Sequence, residues 1–484
     1  MTTPLAPDDA GPAPTAVADV AAPERGGIPA DVWRLAMTLL VGGFAVVLNT
    51  TLISIALHDL STQFEVSFAT IQWISTGYLL ALFATIPITG WAQRRFGGKQ
   101  LWIAALLVFM LGSILCAIAW DATSLIAFRV VQGIGGGVLI PLMTTLIMQA
   151  ARGHNLGRVM AVVGLPAALG PILGPVLGGL ILEVASWPWL FLINIPFCVI
   201  GALLAITFVP RDTPDPTARL DVVGLTLLTP GVTGLIYALT VVPENGFGSA
   251  EVLVPLLAGI ALVTAFAVRG LRRAKDNLVD LRLLRHRPLA SASALGFLVG
   301  TALYGAMLLL PLYWQQVQGL DALDTALLLI PQGVGALLSR TPAGRLTDER
   351  GPRFVALTGF AIIAAATIPF AYVGSDTSNW LLGAVLLVRG LGLGLVTVPL
   401  TSAAFVGLDH HEVPSASIIT RVTQQLGGSF GTAIFAVVLQ QVIVSGHDLV
   451  AAFDIAFWAA AAAALVAIPL SCLLPGKQIV RATA

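Results

Sequence analysis

The sequence predicts an all-α integral membrane protein: two six-helix bundles with two further helices inserted between them, fourteen transmembrane helices in all, and both termini in the cytoplasm. Three observations predict it. The 484 residues are 57% hydrophobic and 10% charged, with a mean hydropathy of +0.91, whereas a soluble domain carries about 25% charged residues. Apolar runs long enough to cross a bilayer follow one another from residue 33 to residue 474. Basic residues then segregate to alternate connections, as the positive-inside rule requires.

Taken in order, residues 1–31 are rich in Ala, Pro and Asp and lack the basic start of a signal peptide, so they read as a disordered cytoplasmic tail. Apolar spans follow at 33–57, 69–92, 100–119, 123–149, 158–182, 188–209, 222–242, 252–270, 290–314, 324–344, 354–373, 380–405, 415–440 and 451–474. Of the 25 Lys and Arg, three lie deep in spans: Arg129, Arg389 and Arg421. The others fall on the tails, the even-to-odd loops or adjoining helix ends. The opposite loops hold Asp59, Glu65, Asp121, Glu183, Glu244, Glu251, Asp321, Asp324, Asp376 and Asp448, and no Lys or Arg. Removing spans seven and eight together preserves every other orientation, so charge alone leaves twelve and fourteen spans open. The net charge of zero gives no sign of a nucleic-acid partner. Cys116, Cys198 and Cys472 lie in apolar runs without metal-ligand spacing, and no metal site is expected.

The chain repeats itself. Span two ends in Gly90-Trp91-Ala92-Gln93-Arg94-Arg95-Phe96-Gly97-Gly98-Lys99, and span ten in Gly344-Arg345-Leu346-Thr347-Asp348-Glu349-Arg350-Gly351-Pro352-Arg353. Arg129 precedes a glycine run and Pro141 in span four, as Arg389 precedes one and Pro399 in span twelve. Spans two and four thus match ten and twelve, and the boundaries follow: a first bundle at 32–209, a linker with two additional helices at 210–288, a second bundle at 289–475 and a tail at 476–484. Parallel repeats around a midplane site are an architecture of secondary transporters. In span five, Gly170-Pro171-Ile172-Leu173-Gly174-Pro175-Val176-Leu177-Gly178-Gly179 places Gly170, Gly174 and Gly178 on one helical stripe. Such a stripe admits a close neighbour, while Pro171 and Pro175 bend the helix.

These segments resemble the major facilitator superfamily, in particular its fourteen-span drug:proton antiporters of the EmrB/QacA type, over essentially residues 33–474. Gly90 to Lys99 looks like the cytoplasmic signature between spans two and three. Leu125-Ile126-Ala127-Phe128-Arg129-Val130-Val131-Gln132-Gly133-Ile134-Gly135 looks like the span-four signature, and Gly170 to Gly179 like the antiporter signature. Asp221 with Gly224 at the start of span seven also fits. The resemblance implies proton-driven export and gives Arg129 a proton-relay role. This chain departs from the family in reading Leu48-Asn49-Thr50-Thr51-Leu52 where many relatives carry an acid, and Arg94 where the signature has Asp. Some EmrB-like relatives work with a periplasmic adaptor, a partner that nothing in this chain identifies.

No soluble catalytic constellation and no GxxxxGK[ST] loop is present, so the chain is expected to be neither an enzyme nor an ATP-driven pump. The expected energy source is the proton gradient, with no cofactor. One proton crossing about 100 mV supplies about 2.3 kcal/mol, roughly a fifty-fold concentration ratio. Candidates for proton coupling are Arg129, Asp59, His58, Asp324 and Asp454. An inner gate is expected from Gly90, Arg94, Arg95, Gly97 and Lys99 in one half and Arg345, Asp348 and Arg350 in the other. Asn49, Thr50, Ser54, Gln72, Tyr78, Gln132, Tyr304, Arg389, Arg421 and Gln424 are candidates for a substrate cavity, in which mixed aromatic and amide groups suit amphipathic molecules. The expected function is efflux of hydrophobic or amphipathic small molecules across the cytoplasmic (inner) membrane. Export of a host-made metabolite or lipid, or a non-transporting membrane sensor or scaffold, are the alternatives.

Overall fold

The architecture comes from a computed structural model that describes residues 28–152, 155–272, 277–320, 322–374, 377–446 and 448–477, without the side chains at 54–55, 57–59, 68–69, 167, 171–172, 175–176, 243–244, 322–323 and 326. Most of the two predicted tails, Asp321 and Asp376, and the side chains of Ser54, His58, Asp59, Pro171, Pro175 and Glu244, lie outside the described residues. Those residues form α-helices and no strand. The first half contains α1 (Ala30–Gln63), α2 (Phe68–Thr85), α3 (Thr89–Phe96), α4 (Gly98–Ala117), α5 (Ala122–Ala151), α6 (Leu156–Val163), α7 (Leu165–Val184), α8 (Trp189–Leu192) and α9 (Asn194–Phe208). The inserted pair is α10 (Val222–Asn245) and α11 (Ala250–Arg272). The second half contains α12 (Arg287–Gln316), α13 (Ala322–Arg350), α14 (Pro352–Thr367), α15 (Asn379–Ala403), α16 (Val413–Val444) and α17 (Leu449–Ser471). Among the described residues, twelve helical segments are long and apolar enough to cross a membrane. The twelve do not include α6–α7 or α13, although α13 is 29 residues long.

Local chemistry sets the ends. Asp121 accepts from Ser124 N–H and the Ser124 hydroxyl accepts in return, a capping box that starts α5. Asp448 starts α17 in the same way through Ala451 N–H. Gly97 and Gly351 have φ of 84° and 90° and turn α3 into α4 and α13 into α14 without a loop. An L side chain is strained at such angles, which explains why the two signatures share this glycine.

The two halves pack alike. In the first, α1 lies on α7 and α9, and α5 on α2 and α4; in the second, α12 lies on α16 and α17, and α15 on α13 and α14. The repeat is visible at atomic scale in the glycine seams. A Cβ at Gly133 or Gly137 would meet the α2 backbone, and one at Gly135 would meet α4. Gly390 and Gly394 press on α13, and Gly392 on α14, in the same order. This register sets Arg389 opposite Gln132, one turn beyond Arg129.

Span five is broken at Gly164, which separates α6 from α7. Gly170 and Gly174 then face Val47 and Thr51 of α1, and the Thr51 hydroxyl donates to Gly170 O at 3.1 Å. The small-residue stripe therefore packs span five on span one within the first half. The inserted helix α10 lies across α2 and α16, so it touches both halves. Thr229 donates to Ala84 O at 3.3 Å, and Trp73 stacks on Tyr237 at 6.1 Å.

Candidate functional site

The deepest polar cluster is built around Arg129, which is fully buried on α5. Its Nε donates to Ile74 O at 3.1 Å and its guanidinium to Gln132 Oε1 at 2.6 Å. Gln132 passes the chain on, donating to Ser113 Oγ at 2.7 Å and Asn49 Oδ1 at 3.2 Å. Asn194 Nδ2 reaches the same Asn49 oxygen at 3.3 Å. The Tyr78 ring lies 4.2 Å from the guanidinium carbon and the Phe191 ring 5.7 Å. A desolvated cation–π contact is worth about 2 kcal/mol, so the rings and the carbonyl offset the cost of a charge that has no carboxylate beside it. Among the described residues only Arg158–Asp348 and Arg269–Asp221 form ion pairs at these distances.

Arg389 is the second buried guanidinium. It donates to Thr367 Oγ1 at 3.2 Å, Gln332 Oε1 at 2.6 Å and Ala302 O at 2.9 Å. Thr367 follows Gly351 at the spacing by which Ser113 follows Gly97, so Arg389–Thr367 repeats Gln132–Ser113. Of these partners, Ser113, Asn194, Gln332 and Thr367 were not singled out from sequence. A hydroxyl or amide in an apolar run carries no periodic signal, and only the buried cation nearby would have pointed to it.

Where α13 packs on α6 and α7, a short set of polar contacts also ties the halves together at the end that carries the basic loops. Asp348 Oδ1 accepts from Gly157 N–H at 2.8 Å and Oδ2 from Arg158 N–H at 3.2 Å, so a second-half carboxylate caps α6 of the first half. Arg158 Nε stands 3.8 Å from the same carboxylate. Burial pushes the Asp348 carboxyl above the usual carboxylate range; the two N–H donors and Arg158 pull it back only in part. Arg340, also buried, reaches across from α13 and donates to Ala161 O at 3.1 Å. Its guanidinium occupies the space that a Cβ at Gly164 would need. Ser417 donates to Pro141 O at 3.2 Å, and Gln149 to His410 O at 3.2 Å.

The two signature loops serve different ends. Asp348 bridges the halves, whereas Lys99 is turned to the last turn of α9 and Arg94 and Arg95 meet the chain that follows it. Asp215 N–H donates to Arg94 O at 2.8 Å, Arg95 to Pro216 O, and Lys99 Nζ to Ile206 O at 2.6 Å. Gly90 of the same signature packs on the second half, against Pro414 and Ile418. Arg345 is exposed, and Arg350 lies over the Phe354 ring at 5.4 Å.

Family membership is settled by sequence comparison. The Major Facilitator Superfamily model matches residues 39–432. The chain belongs to this superfamily. It is 38% identical over 394 residues to a multidrug resistance protein B homolog of Mycobacterium tuberculosis, covering 81% of this chain and 73% of that one. It is 31% identical over 397 residues to the lincomycin resistance protein LmrB of Listeria innocua, covering 82% and 84%. The fold matches the human organic anion transporter MFSD10 with a TM-score of 0.63 at 16% identity, covering 91% of this chain and 99% of that one. It matches the proton:xylose symporter XylE with a TM-score of 0.61 at 14% identity, covering 93% and 97%. Members of this superfamily are transporters rather than enzymes, and the chain is a multi-pass membrane protein.

The remaining candidates are scattered. Tyr78 and Asn49 join the Arg129 cluster, while the Thr50 hydroxyl turns back to Val47 O at 2.6 Å. Gln72 and Gln424 are half-buried on α2 and α16, and Tyr304 packs on Gly428. Arg421 has a buried Nε without an acceptor among the described residues and lies within electrostatic reach of Tyr78 in the opposite half. Asp324 is exposed in the first turn of α13, and Asp454 is half-buried with Oδ1 out of contact with any donor among the described residues.

Proposed function

We propose that the chain exports hydrophobic or amphipathic small molecules across the cytoplasmic membrane by proton-coupled alternating access. The observation that carries the reading is the Asp348 clasp on α6. Two similar bundles pack on each other through α13 on α6 and α7 and α16 on α5, and the few hydrogen bonds that tie them at one end can break and re-form in a cycle. The relatives named for multidrug and lincomycin resistance support drug efflux as the task. Fourteen spans with cytoplasmic termini fit the packing, since α6–α7 takes the place in the first repeat that α16 takes in the second, α13 takes the place in the second that α2–α3 takes in the first, and the basic loops then share one side. On this reading the clasped end is the inner gate, and the state described is closed toward the cytoplasm.

Arg129 keeps its charge in proteins, so it orients the site while a carboxyl exchanges the proton. Of the proposed carboxyls with a described side chain, Asp454 is the one inside an apolar span with an oxygen stripped of donors, and we assign the exchange to it. Arg421, an uncompensated cation between the halves, favours neutral or weakly anionic cargo over quaternary cations. The test is accumulation of a panel of hydrophobic dyes in efflux-deficient bacteria. Expression should lower accumulation, a protonophore should restore it, and Arg129→Met at equal membrane level should abolish the effect. Equal accumulation with and without the protein, across neutral, anionic and cationic dyes, would overturn the proposal.

A further inference from the structure

A cavity of about 620 Å³ opens at the basic-loop end between the halves, lined by Trp33 of α1, Arg158 and Val162 of α6, Leu165 of α7, and Arg345 and Glu349 of α13. The Arg129 cluster does not reach this space, and of the Asp348 clasp only Arg158 lines it. We propose that it holds an anionic phospholipid of the adjoining leaflet, with the phosphodiester between Arg158 and Arg345 and an acyl chain along Val162 and Leu165.

Three features select that occupant. The first is position. Helix α10 lies across α2 and α16 and so covers one of the seams between the halves, while the seam between α7 and α13 has no inserted helix over it. Lipid can meet both halves at this seam, which no helix among the described residues covers, and Trp33, 43% exposed at the start of α1, is the residue type that marks a headgroup boundary. The second is charge. Arg345 has no hydrogen-bond or ion-pair partner among the described residues, and its guanidinium lines the cavity together with Arg158, which stands 3.8 Å from Asp348, and with Glu349. An arginine fork matches a phosphate in geometry as well as charge. The third is the apolar floor of Val162 and Leu165, which continues α6 into α7 and suits a hydrocarbon chain; a small phosphate would leave it uncovered. Because α6 and α13 belong to different halves, the lipid bridges them beside the clasp.

Trp33 reports on the site directly. The full chain is placed in nanodiscs of phosphatidylcholine containing a minority of phosphatidylglycerol, with bromines on the upper acyl carbons of one lipid or the other. The Trp33 component of quenching is isolated by subtracting the Trp33→Phe protein, which retains the other nine of the ten tryptophans. At equal mole fraction, brominated phosphatidylglycerol should quench Trp33 more than brominated phosphatidylcholine. The preference should fall about fivefold in Arg345→Gln, the equivalent of the ~1 kcal/mol that one basic residue contributes at an anionic surface. Arg345 is exposed, so this variant leaves the packing intact. Glycerol 3-phosphate added in excess should leave the quenching unchanged. Equal quenching by both lipids, no change in Arg345→Gln, or displacement by glycerol 3-phosphate would each overturn the proposal, the last by making it a site for a small soluble phosphate.

Discussion

Replacing Asp348 by alanine should open the clasped end. The carboxylate accepts from Gly157 N–H at 2.8 Å and Arg158 N–H at 3.2 Å. Both are orphan donors at the start of α6, and loss of a capping acceptor costs ~1 kcal/mol. Two such bonds exist only when the halves are together, so Asp348→Ala should shift the closed–open balance by about 2 kcal/mol, or roughly thirtyfold. Asp348→Asn should not do the same. Burial already pushes the Asp348 carboxyl upward, so the closed state tolerates a neutral group there, and an amide oxygen still accepts. Linkage gives the sign: the clasped state binds a proton more tightly than an open state with a solvated carboxyl. Closure is therefore favoured most below the ordinary carboxylate pKa of about 3.9, and the advantage declines as pH rises through the raised value. Nitroxides at Arg152 and His411, exposed at the same end of opposite halves, would report the distance distribution in a Cys472→Ser background, the two other cysteines being buried. Asp348→Ala should populate a longer distance, and Asp348→Asn should resemble the parent. An unchanged distribution in the alanine variant, or equal opening by both, would refute the argument.

Other perturbations follow from the same geometry. Arg129→Lys keeps the charge but loses the fork that serves Ile74 O and Gln132 together, so dye efflux should fall at least about tenfold, roughly one charged hydrogen bond, at normal membrane levels. Gly164→Ala puts a methyl where the Arg340 guanidinium lies; it should cost about 1.5–3 kcal/mol by displacing the bond to Ala161, and much less in an Arg340→Met background, as a double-mutant cycle in thermal unfolding would show. Arg269→Met leaves Asp221 buried without its bidentate partner, whose bonds are 2.9 and 2.6 Å, and should lower stability by about 3–5 kcal/mol, with Asp221→Asn recovering part of the loss. Burial pushes Asp221 up but Arg269 and Gly224 N–H outweigh it, so its carboxyl sits below the usual range. The stability from this pair is therefore present above about pH 3.9 and is lost as pH falls through the depressed value, which a pH series of unfolding midpoints would reveal.

Much of the helical frame was legible because the bilayer imposes a length and a hydropathy that ordinary helices need not have. The matching glycine-ended signatures at Gly97 and Gly351 revealed the repeat, since a positive φ restricts residue choice. The register inside the repeat was harder. Arg129 and Arg389 each precede a glycine run, yet the glycine contacts set Arg389 opposite Gln132. Arg340 lies a single turn from a basic loop and reads in the sequence as an end residue whose charge reaches water, whereas it turns inward to Ala161. Arg94, Arg95 and Lys99 have the spacing expected of a gate, but their partners lie in the last turn of α9 and the linker after it, and linear spacing holds no record of that pairing. The break at Gly164 was hidden by the apolar continuity of span five, and the bend signal there was attributed to prolines downstream.

The most direct test of the account is proton movement coupled to cargo. Purified protein in liposomes carrying an internal pH dye, under an imposed pH gradient, would be offered neutral, anionic and cationic hydrophobic compounds. The account predicts compound-dependent proton flux, strongest for neutral and weakly anionic compounds and abolished in Asp454→Asn while compound binding persists. Compound movement without proton flux, or flux unaltered by Asp454→Asn, would contradict it.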